Sequence, residues 1–397
     1  MSWDTERGGQ RKGAEMTEWD ADAAVVGLGA WGASALWRMA ARGLDVVGVE
    51  QFQPGHSLGS SHGGSRMFRI TCLEHPHLVP LARRSLQLWQ DLAAASGVPL
   101  FEPSGGLLLG PAAGRIVGGT LRAAEQHGIE IERLSSAAVR ERFPQHASLP
   151  PGDIGIWEPS AGILRPEAAI GAAVGQAVAA GATALPGTRV RSVELIPGGA
   201  IVRTALKDIR VRQVVLAVGS WLSKLISNLP LQTLRMPITW YQVRADQERF
   251  GLAAFPVFMR ELPGGSVLWG NGSDGGDPVK LGLEVYGSAA RPLDPDTDDR
   301  SVTSDDWSGL AKLLPAYLPG LEPVPVKVSV CMLTRTPDGQ FVIGRPGGDP
   351  RLVVAGGCNA HGFKHAAGIG EALADIVQGK PPRMTLDFVR PDRFTRS

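Results

Sequence analysis

The chain has 397 residues, with 40 Lys and Arg against 39 Asp and Glu. That length suits two domains sharing an interface. A net charge of +1 gives no field for nucleic acid or an anionic membrane surface, so small molecules are the expected partners.

No apolar run approaches the roughly 20 residues that span a bilayer. Three cysteines, Cys72, Cys331 and Cys358, are an odd number with no metal-ligand spacing. A cytoplasmic protein without a disulfide framework or a metal is therefore expected. Residues 1–20 are polar and read as a disordered tail, with Met16 as a second candidate start. The last four residues, Phe394-Thr395-Arg396-Ser397, are not a peroxisomal address.

The first predicted element is an apolar strand, Ala23 to Val26, followed by Gly27-Leu28-Gly29-Ala30-Trp31-Gly32 and a helix from Ala33 to Ala41. A second apolar run, Asp45 to Val49, ends at Glu50. Glycines before a helix and an acid about 20 residues on form the dinucleotide fingerprint. Gly27 permits the tight turn, Gly29 lets the backbone approach the pyrophosphate, and Gly32 lets helix and strand pack closely. Glu50 suits a ribose hydroxyl and repels a 2′-phosphate, so FAD or NAD is expected rather than NADP.

A loop of Gly, Ser and His follows, from Gln53 to Arg69. Leu81, Ser85, Leu88, Trp89 and Leu92 then repeat at helical spacing over Leu78 to Ala95, with Trp89 read as core. Residues Phe101 to Ser160 read as strands broken by Gly and Pro, and Pro166 to Ala180 as a helix. Thr188 to Val218 reads as a meander ending in a buried strand before Gly219. Met236 to Tyr286 is strand-like, Asp294 to Asp306 a connector, Arg351 to Gly357 a strand, and Ala366 to Val377 a helix.

The expected fold class is α/β. A discontinuous Rossmann-like FAD-binding domain takes residues 21–100, 161–233 and 326–397. A substrate domain built on a mixed β-sheet with helices takes 101–160 and 234–325.

Five stretches carry a family resemblance. They are the glycine fingerprint, Gly59 to Arg66 with Arg69, Val214 to Lys224, Cys331 to Asp338, and His361-Gly362-Phe363-Lys364. In that order and spacing, the chain resembles the monomeric sarcosine oxidase family of flavoprotein amine oxidases, which also holds N-methyltryptophan and pipecolate oxidases, from Asp22 to Arg393. The resemblance implies a monomer whose FAD is joined covalently through the sulfur of Cys331 to the flavin 8α-methyl, chemistry that suits a thiolate nucleophile.

It also implies that Ser60, Ser61, Gly362 and Phe363 contact the cofactor and that His62 and Arg66 lie beside the flavin ring. Arg69 and Lys364 are implied as the clamp on a substrate carboxylate, the planar fork of Arg and the point charge of Lys both suiting that anion. Lys280 is the implied cation that stabilises developing superoxide when O₂ is reduced.

Three positions depart from the family pattern: Glu284 stands where His is frequent, and Leu333 and Trp269 where Tyr is frequent. The expected reaction is therefore oxidation of a secondary-amine amino acid larger than sarcosine, N-alkylated or cyclic, or one with a basic side chain that Glu284 pairs. It gives an imine that hydrolyses, with O₂ reduced to H₂O₂. A flavin dehydrogenase or demethylase passing electrons to a carrier is the nearer alternative, and a non-catalytic flavin-binding protein the more distant one. An NAD-dependent dehydrogenase would have no use for the Cys331 and Lys364 motifs.

Overall fold

The structure is a computed structural model and describes residues 19–285 and 291–394. Most of the expected tail, residues 1–18, lies outside the described residues. Its last two positions do not: Trp19 packs on the meander at Gly198 and Gly199, with the Arg210 and Arg212 guanidinium groups over its ring. The described chain thus begins before the first strand.

That strand, Ala21–Val26, is apolar on both faces and nearly all buried because it sits inside a parallel sheet covered on both sides. It pairs in parallel with Val46–Val49 and Asp208–Leu216. Thr183–Leu185 extends the sheet beyond the former, and Leu352–Gly356 beyond the latter. The expected meander is present as Val190–Ile196, Gly199–Thr204 and Asp208–Leu216, antiparallel to one another.

Helices Ala30–Ala40, Pro166–Ala179 and Ala366–Val377 share one apolar core with the helix Leu78–Ser96. Trp89 is buried there as expected. Small residues set the spacing: a Cβ on Gly370 would lie 2.4 Å from the Ser34 carbonyl carbon, so only glycine allows those two helices to approach this far.

The second sheet is mixed, in the order Lys327–Arg335, Gln232–Tyr241, Val279–Glu284, Val267–Asn271, Val257–Glu261, Gly106–Pro111, Asp153–Glu158, Glu132–Ser135. Sequence grouping placed residues from 326 onward with the nucleotide domain. Pairing corrects this for Lys327–Arg335, which runs antiparallel to Gln232–Tyr241 with Cys331 opposite Met236. An amphipathic strand of nine residues fits either sheet, and only the partner decides.

A second correction concerns Phe101 to Ser160, which holds two helices, Arg115–His127 and Ser136–Arg142. The first carries Gly118 and Gly119, which lower helix propensity. They are retained by close approach, since a Cβ on Gly119 would sit 2.9 Å from Leu73 Cβ and 3.0 Å from its carbonyl oxygen.

Candidate active site

One cavity of about 570 Å³ opens at the carboxyl ends of the parallel strands, where ligands of open α/β sheets bind. Val26, Gly27, Val49, Glu50, Ala217, Gly356 and Gly357 line it from the first sheet, and Met236, Met259, Trp269, Glu284 and Cys331 from the second.

The three fingerprint glycines do different work. Gly27 has φ +87°, and a Cβ there would meet Ala217 O at 2.8 Å. Gly32 is more restrictive: its Cβ would fall 1.8 Å from Gly27 O. Gly29 faces open space, with Ser61 Oγ the nearest atom at 3.8 Å from a Cβ placed there. That opening in front of a helix N-terminus is where a pyrophosphate can approach the backbone. Glu50 is buried and accepts the Leu28 N–H at 2.7 Å and the Phe52 N–H at 3.0 Å, which fixes its carboxylate beside the turn. The site therefore fits a dinucleotide with a free ribose hydroxyl.

Next to the turn, Ser61 Oγ accepts the Ala30 N–H at 3.4 Å. The Ser60 carbonyl accepts from Arg66 at 3.1 Å, and Arg66 Nη2 lies 3.7 Å from Cys331 Sγ. The guanidinium thus stands over the only cysteine of the second sheet. Cys358 also borders the cavity, and Cys72 is buried away from it. His62 is buried with Nε2 unpartnered among the described residues. Burial first, then the charges of Arg66 and Lys280, push its pKa down to about 3, so it is neutral.

Arg69 and Lys364 are brought together, both 3% exposed. Arg69 comes from the turn after the strand Arg66–Phe68, and Lys364 from the short turn Phe363–His365 that opens the last helix. What joins them is Glu74, a residue that sequence reasoning missed. It bonds Arg69 with one oxygen and accepts from Lys364 Nζ at 3.3 Å with the other. Burial pushes the Glu74 carboxyl up, but Arg69, Lys364 and His361 outweigh it and hold it well below the usual range. No motif marks it: Glu74 is simply the one acid between Glu50 and Asp91.

Buried Glu158 supports the same turn by accepting the Ile70 N–H at 2.5 Å and bonding the Thr71 hydroxyl. Trp31 ties the first loop to the last through its indole N–H, 3.0 Å from Gly362 O. Phe363 stacks on Trp89 at 5.9 Å between centroids.

The substrate-domain wall is apolar and sulfur-rich. Trp269 lies opposite Gly282, whose Cβ would clash with its indole at 2.1 Å, so the ring lies flat across that strand. Leu333 is buried and, with Met236, also borders a second cavity of about 220 Å³. Glu284 is half-buried at the cavity wall.

Lys280, like His62, is not part of the cavity lining. Its Nζ donates to Gly63 O at 2.8 Å, Ser65 O at 2.5 Å and Ser65 Oγ at 3.3 Å, one layer behind. Burial, then the Arg66 charge, push the ammonium pKa well down.

The fold and cavity define a dinucleotide-binding protein, and the comparisons make it a flavin-dependent oxidoreductase. Residues 22–376 match the family model described as FAD dependent oxidoreductase, and the chain belongs to that family.

Within the family it is similar to monomeric sarcosine oxidase of Bacillus sp. (strain B-0618), 33% identical over 90% of this chain and 92% of that one. It is equally similar to N-methyl-L-tryptophan oxidase of Citrobacter koseri, 33% identical over 94% and 99%. The solved open form of NikD, described as an unusual amino acid oxidase essential for nikkomycin biosynthesis, shares the fold with a TM-score of 0.80 at 24% identity, covering 94% of this chain and 97% of that one. Among the described residues no helix is long and apolar enough to cross a membrane.

Proposed function

We propose that this chain is an oxidase of secondary-amine amino acids, acting on an N-methyl or cyclic substrate bulkier than sarcosine. The carrying observation is the convergence of buried Arg69 and Lys364 on one carboxylate, that of Glu74, in the wall of the cavity that Cys331 and the fingerprint glycines also line. Two cations held that way accept a substrate carboxylate in the same geometry once Glu74 gives way.

In this reading Cys331 carries the flavin covalently through its sulfur, which is supported by its position in the cavity wall with Arg66 Nη2 3.7 Å away. FAD supplies the two-electron acceptor: the amine loses a hydrogen from carbon and one from nitrogen with two electrons, the C=N product adds water, and O₂ takes the electrons and two protons as H₂O₂. The chain's residues do the rest. Arg69 and Lys364 orient the substrate by its carboxylate. Arg66 and, behind it, Lys280 place positive charge where O₂ gains electrons.

Trp269, Met259, Met67 and Leu333 give an apolar wall that suits a ring or a long side chain, and Glu284 adds a carboxylate that favours a cationic group. Steady-state oxidation of a panel holding sarcosine, N-methyltryptophan, pipecolate and proline tests this. A cyclic or large N-methyl amino acid is expected to have the highest kcat/KM, and sarcosine as the clearly best substrate would overturn the size argument.

A further inference from the structure

Glu167 lies in the first turn of the helix Pro166–Ala179 and takes no part in lining the cavity. Its carboxylate nevertheless reaches back over 100 positions to the loop before Arg66. Oε1 accepts the Gly63 N–H at 2.6 Å and the Gly64 N–H at 3.2 Å, and Oε2 accepts the Gly64 N–H at 3.2 Å. Gly63 and Gly64 have φ of +101° and +75°. Two successive residues in the left-handed region turn both amides to one side, a backbone nest that an anion stabilises. Here the anion is a side chain of the same protein.

The other side of that turn carries the carbonyls. Gly63 O and Ser65 O receive Lys280 Nζ, and Ser65 O also receives Arg66 Nη1 at 3.0 Å. Ser65 Oγ is fixed in turn by Asn271 Oδ1 at 2.9 Å, and Asn271 is the cross-strand partner of Lys280. A Cβ on Gly63 would lie 3.4 Å from both Arg66 Nη1 and Lys280 Nζ, so the turn packs closely against both cations. Glu167 is what receives the Gly63 and Gly64 amides on its other side.

We propose that Glu167 is a positioning residue: through the Gly63 and Gly64 amides it fixes the carbonyls that locate the Lys280 ammonium, and so sets the rate at which the reduced enzyme gives electrons to O₂. This rests on the oxidase reading above. Among the described residues the hydrogen bonds of the Glu167 carboxylate go to the Gly63 and Gly64 amides and none goes to Arg69, Lys364 or Trp269, so substrate binding and amine oxidation are expected not to depend on it.

The test separates the half-reactions. Wild type, Glu167→Ala, Glu167→Gln, Lys280→Met and the Glu167→Ala/Lys280→Met double variant are reduced with dithionite and mixed with O₂. They are separately mixed anaerobically with the best amine of the panel. Hydrogen exchange at the Gly63 and Gly64 amides is followed in each.

Glu167→Ala is expected to slow reoxidation about tenfold or more, to speed exchange at the two amides, and to leave the anaerobic reduction rate within about twofold of wild type. Glu167→Gln, which keeps one acceptor oxygen, is expected to fall between. The double variant is expected to be no slower than Lys280→Met alone, because both act through one group. Wild-type reoxidation in Glu167→Ala or in Lys280→Met, or additive slowing in the double variant, overturns the proposal. If Glu167→Ala does not fold, Glu167→Gln carries the comparison. Dithionite reduction keeps this outcome distinct from a failure of the oxidase reading, which shows instead as no anaerobic reduction by any amine.

Discussion

Replacing Lys364 by Met tests the carboxylate clamp while keeping most of the volume. Lys364 Nζ sits 3.3 Å from Glu74 Oε2 and the side chain is almost wholly buried, so the charge acts in a poorly screened setting. Its backbone carbonyl also receives the Trp89 indole N–H at 3.4 Å, a bond that Lys364→Met leaves in place. Loss of one charge-assisted hydrogen bond to a carboxylate costs about 1.5–3 kcal/mol, or roughly 10- to 150-fold in kcat/KM.

The assay compares an N-methyl amino acid with the same amine lacking its carboxylate. Only the acid should suffer; the decarboxylated amine should change by about twofold or less, since Lys364 touches no other part of it. Equal losses for both, or none for the acid, would refute the clamp.

Three further outcomes follow from the geometry. Gly32→Ala forces a Cβ to within 1.8 Å of Gly27 O, so the helix must leave the turn, and purified protein should carry little flavin by its visible absorption. Cys331→Ser should release all flavin into the supernatant on acid precipitation and washing, where wild type stays yellow in the pellet; flavin retained by the variant would move the linkage elsewhere.

His146 is fully buried between Phe255 and Phe258, and burial, then Arg260, push its pKa down to about 3. The unfolded chain takes up that proton below pH ~6.5 and the folded chain does not, so stability is complete above that pH. It is lost as pH falls toward the folded value, by up to about 1.4 kcal/mol per pH unit. Thermal melts at pH 7.5 and 5 should show a smaller drop for His146→Phe than for wild type, and an unchanged drop would refute this source of acid sensitivity.

The dinucleotide unit was legible because its glycines, strand and acid are local in sequence and each has a steric or charge reason. So was the last helix, Ala366–Val377, whose apolar pattern is nearly unbroken. The helix Arg115–His127 was not, since Gly118 and Gly119 follow from contact with Ala112, Ala113 and Leu73 rather than from local preference. Nor could pattern assign Lys327–Arg335 to a sheet.

At the site, the resemblance supplied Arg69, Lys364 and Cys331, which the fold gathers around one cavity. It did not supply Glu74 or Glu167, because a lone acid in a loop or at a helix start has no motif. Their roles come from what lies opposite them after folding.

Anaerobic mixing of the purified yellow protein with the amine panel tests the central claim most directly. The flavin absorption should bleach with at least one secondary amino acid and return on admission of air with one H₂O₂ per amine oxidised. Absorption that none of these amines bleaches would contradict the account.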